Sequence, residues 1–438
     1  MASSSRRRNY MLSNHRRDEL IAMMKTMLHH SFVLDVMKTT VAGTFEHFEE
    51  LIHEHYENPD KSRLKVMVPS LGRFFHPLRL RKAFVEYDTK YCITARRFVS
   101  PTFNELRHIL NLATVHALAP AGAGADGSLK MITFDGDETL YRHGDNFASG
   151  SKLARYIIKL MQNGVHVALV TAAGYPHDGA KYEGRMRGLL DSFVASSLPE
   201  EVMARFWVLG GECNYLFRCG ANARLTEVPS REWLPEAEHW SAEEIRSLLD
   251  TAESCIRSTM ASLKLRGRVL RKERAVGLIP GGKEGKKREP TGSGGKSIRR
   301  ELLDEVCLAV QEELRAASFT IPYCAFNGGG DVFVDIGNKR VGVQGMQSYL
   351  KLRPEQCLHV GDQFLNTGND FSCRDACATV WITSPVETKY ILKRIVTALG
   401  LSAKNEVGAE AGGGGGGAAA ADDEPQRKKQ RQGAAAEK

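Results

Sequence analysis

Met131-Ile-Thr-Phe-Asp-Gly-Asp-Glu-Thr139 is a short, mainly apolar run that ends in two carboxylates separated by one glycine. A run of this length bounded by turn residues fits a strand buried on both faces. Two carboxylates just past such a strand suit phosphoryl transfer. A phosphate repels a carboxylate nucleophile, so a divalent cation must neutralise charge between them. Asp135 can then attack phosphorus to give an aspartyl-phosphate. Asp137 can protonate the leaving oxygen and later deprotonate the attacking water. Gly136 is expected to let the chain turn sharply, and Thr139 to tie the turn down. Alone, the pattern has modest specificity, because aspartate beside glycine is a common turn composition.

Three more apolar runs end the same way. Val165-His-Val-Ala-Leu-Val170 leads into Thr171, Cys357-Leu-His-Val-Gly361 into Asp362, and Thr379-Val-Trp-Ile382 into Thr383. Open α/β sheets bind ligands beyond the carboxyl ends of their strands, so these polar ends should converge. Thr171 can donate to a phosphoryl oxygen. Lys339, within Asp335-Ile-Gly-Asn-Lys-Arg340, can hold phosphate and nucleophile together as a point charge. Asp362 offers a hard oxygen ligand, with Asn369 and Asp370 close behind. Magnesium prefers one or two carboxylates with waters and a phosphate oxygen, which Asp135 and Asp362 satisfy.

Residues from about 15 to 118 read as helical, because Leu20, Met23, Met24, Met27 and Leu28, then Phe45, Phe48, Leu51 and Ile52, recur at helical spacing. The linker Ala119 to Gly127 closes this N-terminal region (1–118). From Leu129 short apolar runs alternate with amphipathic segments, the texture of an α/β domain. A catalytic core is expected over 128–180 and 339–402. The stretch between is too long for a simple crossover. Its strand-like pieces (Phe206 to Leu209, Asn214 to Phe217, Asp331 to Val334) and helix-like ones (Ser241 to Lys264, Ile298 to Ala317) read as an inserted cap over 181–338.

The 438 residues carry a formal charge of +8. Lys264 to Arg300 alone has about ten more basic than acidic residues, so one glycine-rich segment accounts for the excess. That is the composition of a solvated insertion, at about 281–296, rather than of a docking face for nucleic acid. The tail 403–438 is expected to be disordered, its basic cluster included. Nine cysteines without a CxxC pair fit a reducing compartment, so a cytoplasmic location is expected. Cys373 and Cys377 read as packing rather than zinc ligands. No apolar run is long enough to span a bilayer. Thr291 to Ser297 mimics a phosphate-binding loop, but Pro290 stands where its first glycine belongs. His53 and His55 diverge by about 200° on a helix, so surface positions are expected.

The ordered set of Asp135-Gly-Asp-Glu-Thr139, Thr171, Lys339 and Gly361-Asp-Gln-Phe-Leu-Asn-Thr-Gly-Asn-Asp370 resembles the haloacid dehalogenase superfamily. That implies a Rossmannoid core with a C2-type α+β cap, and it implies that Asp137 gives its backbone carbonyl to the metal. The phrases HRRDELI, VPSLGRFF, ARRFVSPTFNELRHILNLA, ITFDGDETLY, VTAAGYP, RAVGLIP and VDIGNKRVGVQ look like the IMP-specific 5′-nucleotidases, a branch of that superfamily. The likeness runs from about Tyr10 to Leu401, omitting the basic loop after Pro280 and the tail, and includes the helical N-terminal region. It implies magnesium-dependent hydrolysis of IMP to inosine and phosphate, by a homotetramer that ATP activates through the N-terminal region. It implies Asp135 as nucleophile, Asp137 as acid/base, Asp135, Asp137 and Asp362 around the metal, and Thr171 and Lys339 on the phosphate. An aspartate that contacts the nucleotide in the family falls here on His143, with Asp145 two residues on. His116 is a candidate for ATP contact, or a core histidine. The alternatives are a broader phosphatase on other nucleotides or sugar phosphates, or a non-enzymatic nucleotide sensor that binds RNA.

Overall fold

The computed structural model of the chain describes residues 18–29, 41–96, 99–118, 128–281 and 298–401. The basic insertion, the phosphate-loop mimic and the tail singled out above lie outside the described residues.

The N-terminal region forms helices α1 (Glu19–His29), α2 (Val41–Glu57), α3 (Leu80–Tyr91) and α4 (Phe103–Ala117). The stripes read from spacing face one core: Leu20, Met24, Leu28, Phe45, Phe48, Leu51 and Ile52 are buried. Thr102 starts α4 with a reciprocal cap, its hydroxyl accepting from the Glu105 amide and the Glu105 carboxylate accepting from its own. This region does not close on itself. Phe364, Leu365 and Trp381 of the catalytic core belong to the same apolar cluster. One expectation fails here. His55 is buried, its ring held between Ser62 Oγ at 2.6 Å and the Gly72 carbonyl at 3.0 Å. The helix turns that position toward the Ser62–Gly72 segment, a contact that spacing alone does not reveal.

The catalytic core begins with β1 (Met131–Asp135), α5 (Lys152–Gln162), β2 (His166–Val170), α6 (Gly179–Arg185), β3 (Phe206–Gly210), β4 (Tyr215–Cys219) and β5 (Leu225–Val228). The chain then builds α7 (Ala242–Ser262), β6 (Gly267–Arg271), β7 (Ala275–Pro280), α8 (Arg300–Ala317), β8 (Tyr323–Asn327) and β9 (Val332–Ile336). It returns through α9 (Lys339–Leu350), β10 (Cys357–Gly361), β11 (Ala378–Trp381) and α10 (Pro385–Ala398). The main sheet has the order β11-β10-β1-β2-β3-β4-β5. Its first five strands are parallel, and the last two pairings, β3 with β4 and β4 with β5, are antiparallel. All five residues of β1 and of β10 are buried, as helices cover both faces of a parallel sheet. This is the α/β architecture that the resemblance implies.

The cap is smaller than the expected 181–338. β3, β4 and β5 extend the catalytic sheet, with Val167 in register opposite Phe206. The second sheet, β6-β7-β9-β8, is antiparallel and packs against α7 and α8. An apolar run signals a strand without naming its partner, so Phe206 to Val228 gave no hint of the sheet it joins. Among the described residues, no helix is long and apolar enough to cross a membrane.

Candidate active site

β1, β2 and β10 lie side by side and point the same way, so Asp135, Thr171 and Asp362 meet at one sheet edge. Together they line a cleft of about 340 Å³ between the main sheet and the cap. Asp135 is 8% exposed, and its Oδ1 accepts from Lys339 Nζ at 2.5 Å. Lys339 is fully buried and also donates to Asp370 Oδ1 at 2.6 Å. It is the first residue of α9, whose start Asn338 caps through its Oδ1 to the Val341 amide at 2.9 Å. Asp370 is held from two further sides, by His359 Nε2 at 2.9 Å and by the Gln363 amide at 2.9 Å. Thr133 Oγ1 stands 2.8 Å from the other ring nitrogen of His359. The nucleophile candidate thus ends a buried chain running Thr133, His359, Asp370, Lys339, Asp135.

Burial pushes the Asp135 carboxyl up to about 7, against the pull of the Lys339 charge. Burial also opposes ionisation of Lys339, but Asp135, Asp370 and Glu212 together raise its pKa well above the usual lysine range. Asp370 behaves oppositely to Asp135. Burial disfavours its charge, yet Lys339 and His359 outweigh that and hold it well below the usual carboxylate range. Asp362 is pushed well above its ordinary value by burial and by the charges of Asp135 and Asp370. A lysine flanked by carboxylates in a low-dielectric site is a fixed positive charge aimed at the nucleophile.

Asp137 is one-third exposed at the mouth of the cleft. Its carboxylate accepts from the Gly144 amide at 2.9 Å and from Arg185 Nη2 at 3.1 Å. The Arg185 guanidinium also lies over the Tyr141 ring, 5.0 Å from its centre. The turn differs from the expected one. Glu138, not Gly136, takes the left-handed conformation, with φ +57°. Gly136 is required because Tyr141 packs against it too closely for a side chain. Thr139 is tied in through its backbone, its carbonyl accepting from Thr388 Oγ1 at 2.7 Å, while its own hydroxyl is buried without a partner among the described residues.

Thr171 is buried, its Oγ1 accepting from the Ala173 amide at 3.1 Å. His143 lines the cleft, exposed, with Nδ1 3.8 Å from Asp137. Asp145 is exposed and outside the cleft lining, because the turn after Arg142 carries it outward. Thr383, the fourth polar strand end, also lies outside, its amide bonded to Glu387. His116 sits at the end of α4, paired with Glu86 Oε2 at 2.9 Å and with its Nδ1 buried and unpartnered among the described residues. It does not line this cleft. Cys373 and Cys377 are both buried in an apolar cluster, as packing residues.

Several participants carried no role in the sequence reading. Glu212 is fully buried in a left-handed turn, φ +50°, and its Oε1 accepts from Asn369 Nδ2 at 2.6 Å. Burial pushes its carboxyl up to about 7. From the cap, Lys272, Arg274, Phe333 and Asp335 form the far wall of the cleft. Arg274 reaches the core by donating to Asn214 Oδ1 at 2.9 Å. A histidine inside the apolar run 357–361 was the one visible signal for His359. Oxygens of Asp135, Asp362 and Asp370 lie within 4.8 Å of one another. Asp370 already serves Lys339, His359 and Gln363, whereas Asp362 has only the Gln363 side chain at 2.9 Å among described partners of its carboxylate. Two crowded carboxylates with free oxygens fit a hard divalent cation.

A family model for IMP-specific 5′-nucleotidases matches residues 1–392. IMP-specific 5′-nucleotidase 1 of Plasmodium falciparum is 37% identical over 380 residues, covering 87% of this chain and 83% of that one. Its namesake from Yarrowia lipolytica is 39% identical over 424 residues, covering 90% and 97%. The solved structure of N-terminally truncated, IMP-bound Plasmodium falciparum IMP-nucleotidase superposes with a TM-score of 0.78 at 36% identity, covering 88% of this chain and 99% of that one. The ATP-bound form of that enzyme gives 0.74 at 37% identity, over 87% and 85%. With its strand-end carboxylates, buried lysine and helical N-terminal region, this chain belongs to the IMP-specific 5′-nucleotidase family.

Proposed function

We propose that this protein is a phosphoric monoester hydrolase that cleaves IMP to inosine and phosphate through an aspartyl-phosphate on Asp135. The observation that carries the reading is Lys339 Nζ, 2.5 Å from Asp135 and anchored on Asp370, at the sheet edge that also presents Thr171 and Asp362. Lys339 and the Thr171 hydroxyl hold the phosphate against the nucleophile, replacing much of its lost hydration. Asp135 attacks phosphorus, and Asp137 gives its proton to the departing 5′ oxygen of the nucleoside. Asp137, open to solvent and steadied by Arg185, then takes a proton from the water that releases phosphate. His143, beside Asp137, faces the nucleotide; Asp145 has no such contact. Phe333, Arg274 and Asp335 give the base an aromatic and polar wall. The cleft volume lies in the range of about 300–1,000 Å³ usual for small-molecule sites.

Asp135 and Asp362, with the backbone carbonyl of Asp137, would hold magnesium. Bound there, it would supply the positive charge that lets a carboxylate approach a phosphate. ATP activates the enzyme through the N-terminal region, a reading supported by the ATP-bound relative and by the apolar core that this region shares with Trp381. We assign the protein to the cytoplasm as a homotetramer in purine nucleotide turnover, on the strength of its family.

Phosphate release from IMP, GMP, AMP and sugar phosphates, each with and without ATP and magnesium, tests the reading. IMP should be preferred, magnesium required, and ATP stimulatory. Equal turnover of sugar phosphates would exclude the IMP assignment, and full activity of Asp135→Asn would exclude the covalent mechanism.

A further inference from the structure

Trp381 ends the edge strand β11 and is 4% exposed. Its indole Nε1 donates to the backbone carbonyl of Asp362 at 2.9 Å. Asp362 is thus held at its carbonyl by one side chain while its carboxylate faces the cleft. Trp381 is itself fixed by α4. Its amide donates to Asn111 Oδ1 at 3.1 Å, and its carbonyl accepts from Asn111 Nδ2 at 2.7 Å. One asparagine thereby satisfies the strand edge as a neighbouring strand would. Arg107, 2% exposed, donates to the same carbonyl at 2.5 Å and to both Glu387 oxygens. The indole ring is wedged between Phe103 of α4, at 5.6 Å and 84°, and Phe364, at 6.2 Å and 56°. Arg374 lies against it at 5.9 Å and pairs with Asp18, just before α1, at 2.7 Å.

A ligating carboxylate is only as well placed as its own backbone. Restraining the carbonyl of Asp362 limits the peptide rotation that would swing its side chain out of the cleft. Partners beyond the ligands typically set metal affinity by about 10–100-fold through such restraint. We propose that Trp381 is a positioning residue for Asp362, and that it makes α4 part of the apparatus setting divalent-cation affinity. The inference rests on the reading of Asp362 as a cation ligand. It assigns a role to a tryptophan that lies outside the cleft lining and to an asparagine on a different element.

The test is calorimetric titration of the full chain with Mn²⁺, alongside thermal melts, for wild type, Trp381→Phe, Asn111→Ala and Phe103→Leu. Trp381→Phe keeps a ring but removes the donor, and its cation affinity should fall by about tenfold or more. Asn111→Ala retains the indole and loosens its backbone, so it should weaken binding in the same direction. It also carries the test if Trp381→Phe does not fold. Phe103→Leu removes packing and leaves the donor, so it should lower the melting temperature with affinity within about twofold of wild type, well short of the range above. Unchanged cation affinity in Trp381→Phe and Asn111→Ala, with wild type binding normally, would overturn the positioning role alone. No saturable heat in wild type would overturn it together with the cation reading beneath it.

Discussion

Tyr141 closes over Gly136 so tightly that a β-carbon at position 136 would overlap its hydroxyl oxygen. The glycine between the two carboxylates is therefore fixed by a neighbour five residues on. Tyr141 is 4% exposed and has little room to withdraw. Gly136→Ala should destabilise the fold by about 1–3 kcal/mol, as overpacking does, and should displace Asp137 relative to Asp135. Thermal melts and phosphate release check this, with Tyr141→Phe in the same chain recovering part of the stability. A single variant as stable as wild type would refute the close-packing account.

Lys339→Met leaves Asp135 and Asp370 buried with no cation between them. Breaking such a pair costs about 3–5 kcal/mol at neutral pH, and phosphate release should fall by about a hundredfold or more. The gap should narrow in acid. Asp370 of the wild type has a depressed pKa, so its contribution is present above the unfolded carboxylate pKa and is lost as pH falls. The variant's two carboxyls, their pKa values raised, are relieved of their penalty on protonation. Both pH 7.5 and 4.5 lie above the window in which the Asp370 contribution is lost, so urea midpoints there read the relief of the variant's carboxyls, and a constant gap would contradict it.

Glu212 predicts a slope of the opposite kind. Its carboxyl, at 4.5 unfolded, rises to about 7 when buried. The folded state then binds more protons than the unfolded chain between those values, so stability falls as pH rises through that window and is flat above it. The whole effect is about 3 kcal/mol at most. Glu212→Gln should remove that residue's share of the slope, leaving the part owed to Asp135, and its stability relative to wild type should be greater at pH 8 than at pH 5. Equal denaturation midpoints for the two proteins at both pH values would argue that Glu212 does not titrate on folding.

Arg185 touches Asp137 and the ring of Tyr141. Arg185→Met frees the acid/base carboxylate to rotate while the Gly144 amide still holds one oxygen. Turnover should drop by about 10–100-fold through misplacement, with KM nearly constant. A change confined to KM would place Arg185 on the substrate instead.

Much of this site was legible because its residues end strands. Asp135, Thr171 and Asp362 each follow an apolar run, and parallel pairing brings such ends together. The helical stripes of the N-terminal region were equally plain, since period and burial coincide there. What stayed hidden depends on tertiary partners. Glu212 sits in a left-handed turn with no motif around it, and its role exists through Asn369 and the Lys339 charge. Trp381 reads as core in any strand; its indole matters because of where the Asp362 carbonyl lies. The cap boundary was misplaced for the same reason, as Phe206 to Val228 carry strand character and no address. Asp145 shows the converse, a carboxylate at a suggestive spacing that the turn directs to solvent.

The return from the cap has a mechanical consequence. Ile336 ends the last cap strand, Gly337 turns at φ +85° against the Glu212 carbonyl, and Lys339 already opens the next helix. Only two residues separate the lid from the charge that grips the nucleophile. The lysine therefore stands at the junction of cap and core. Any displacement of the cap would reach the ammonium through two residues of backbone.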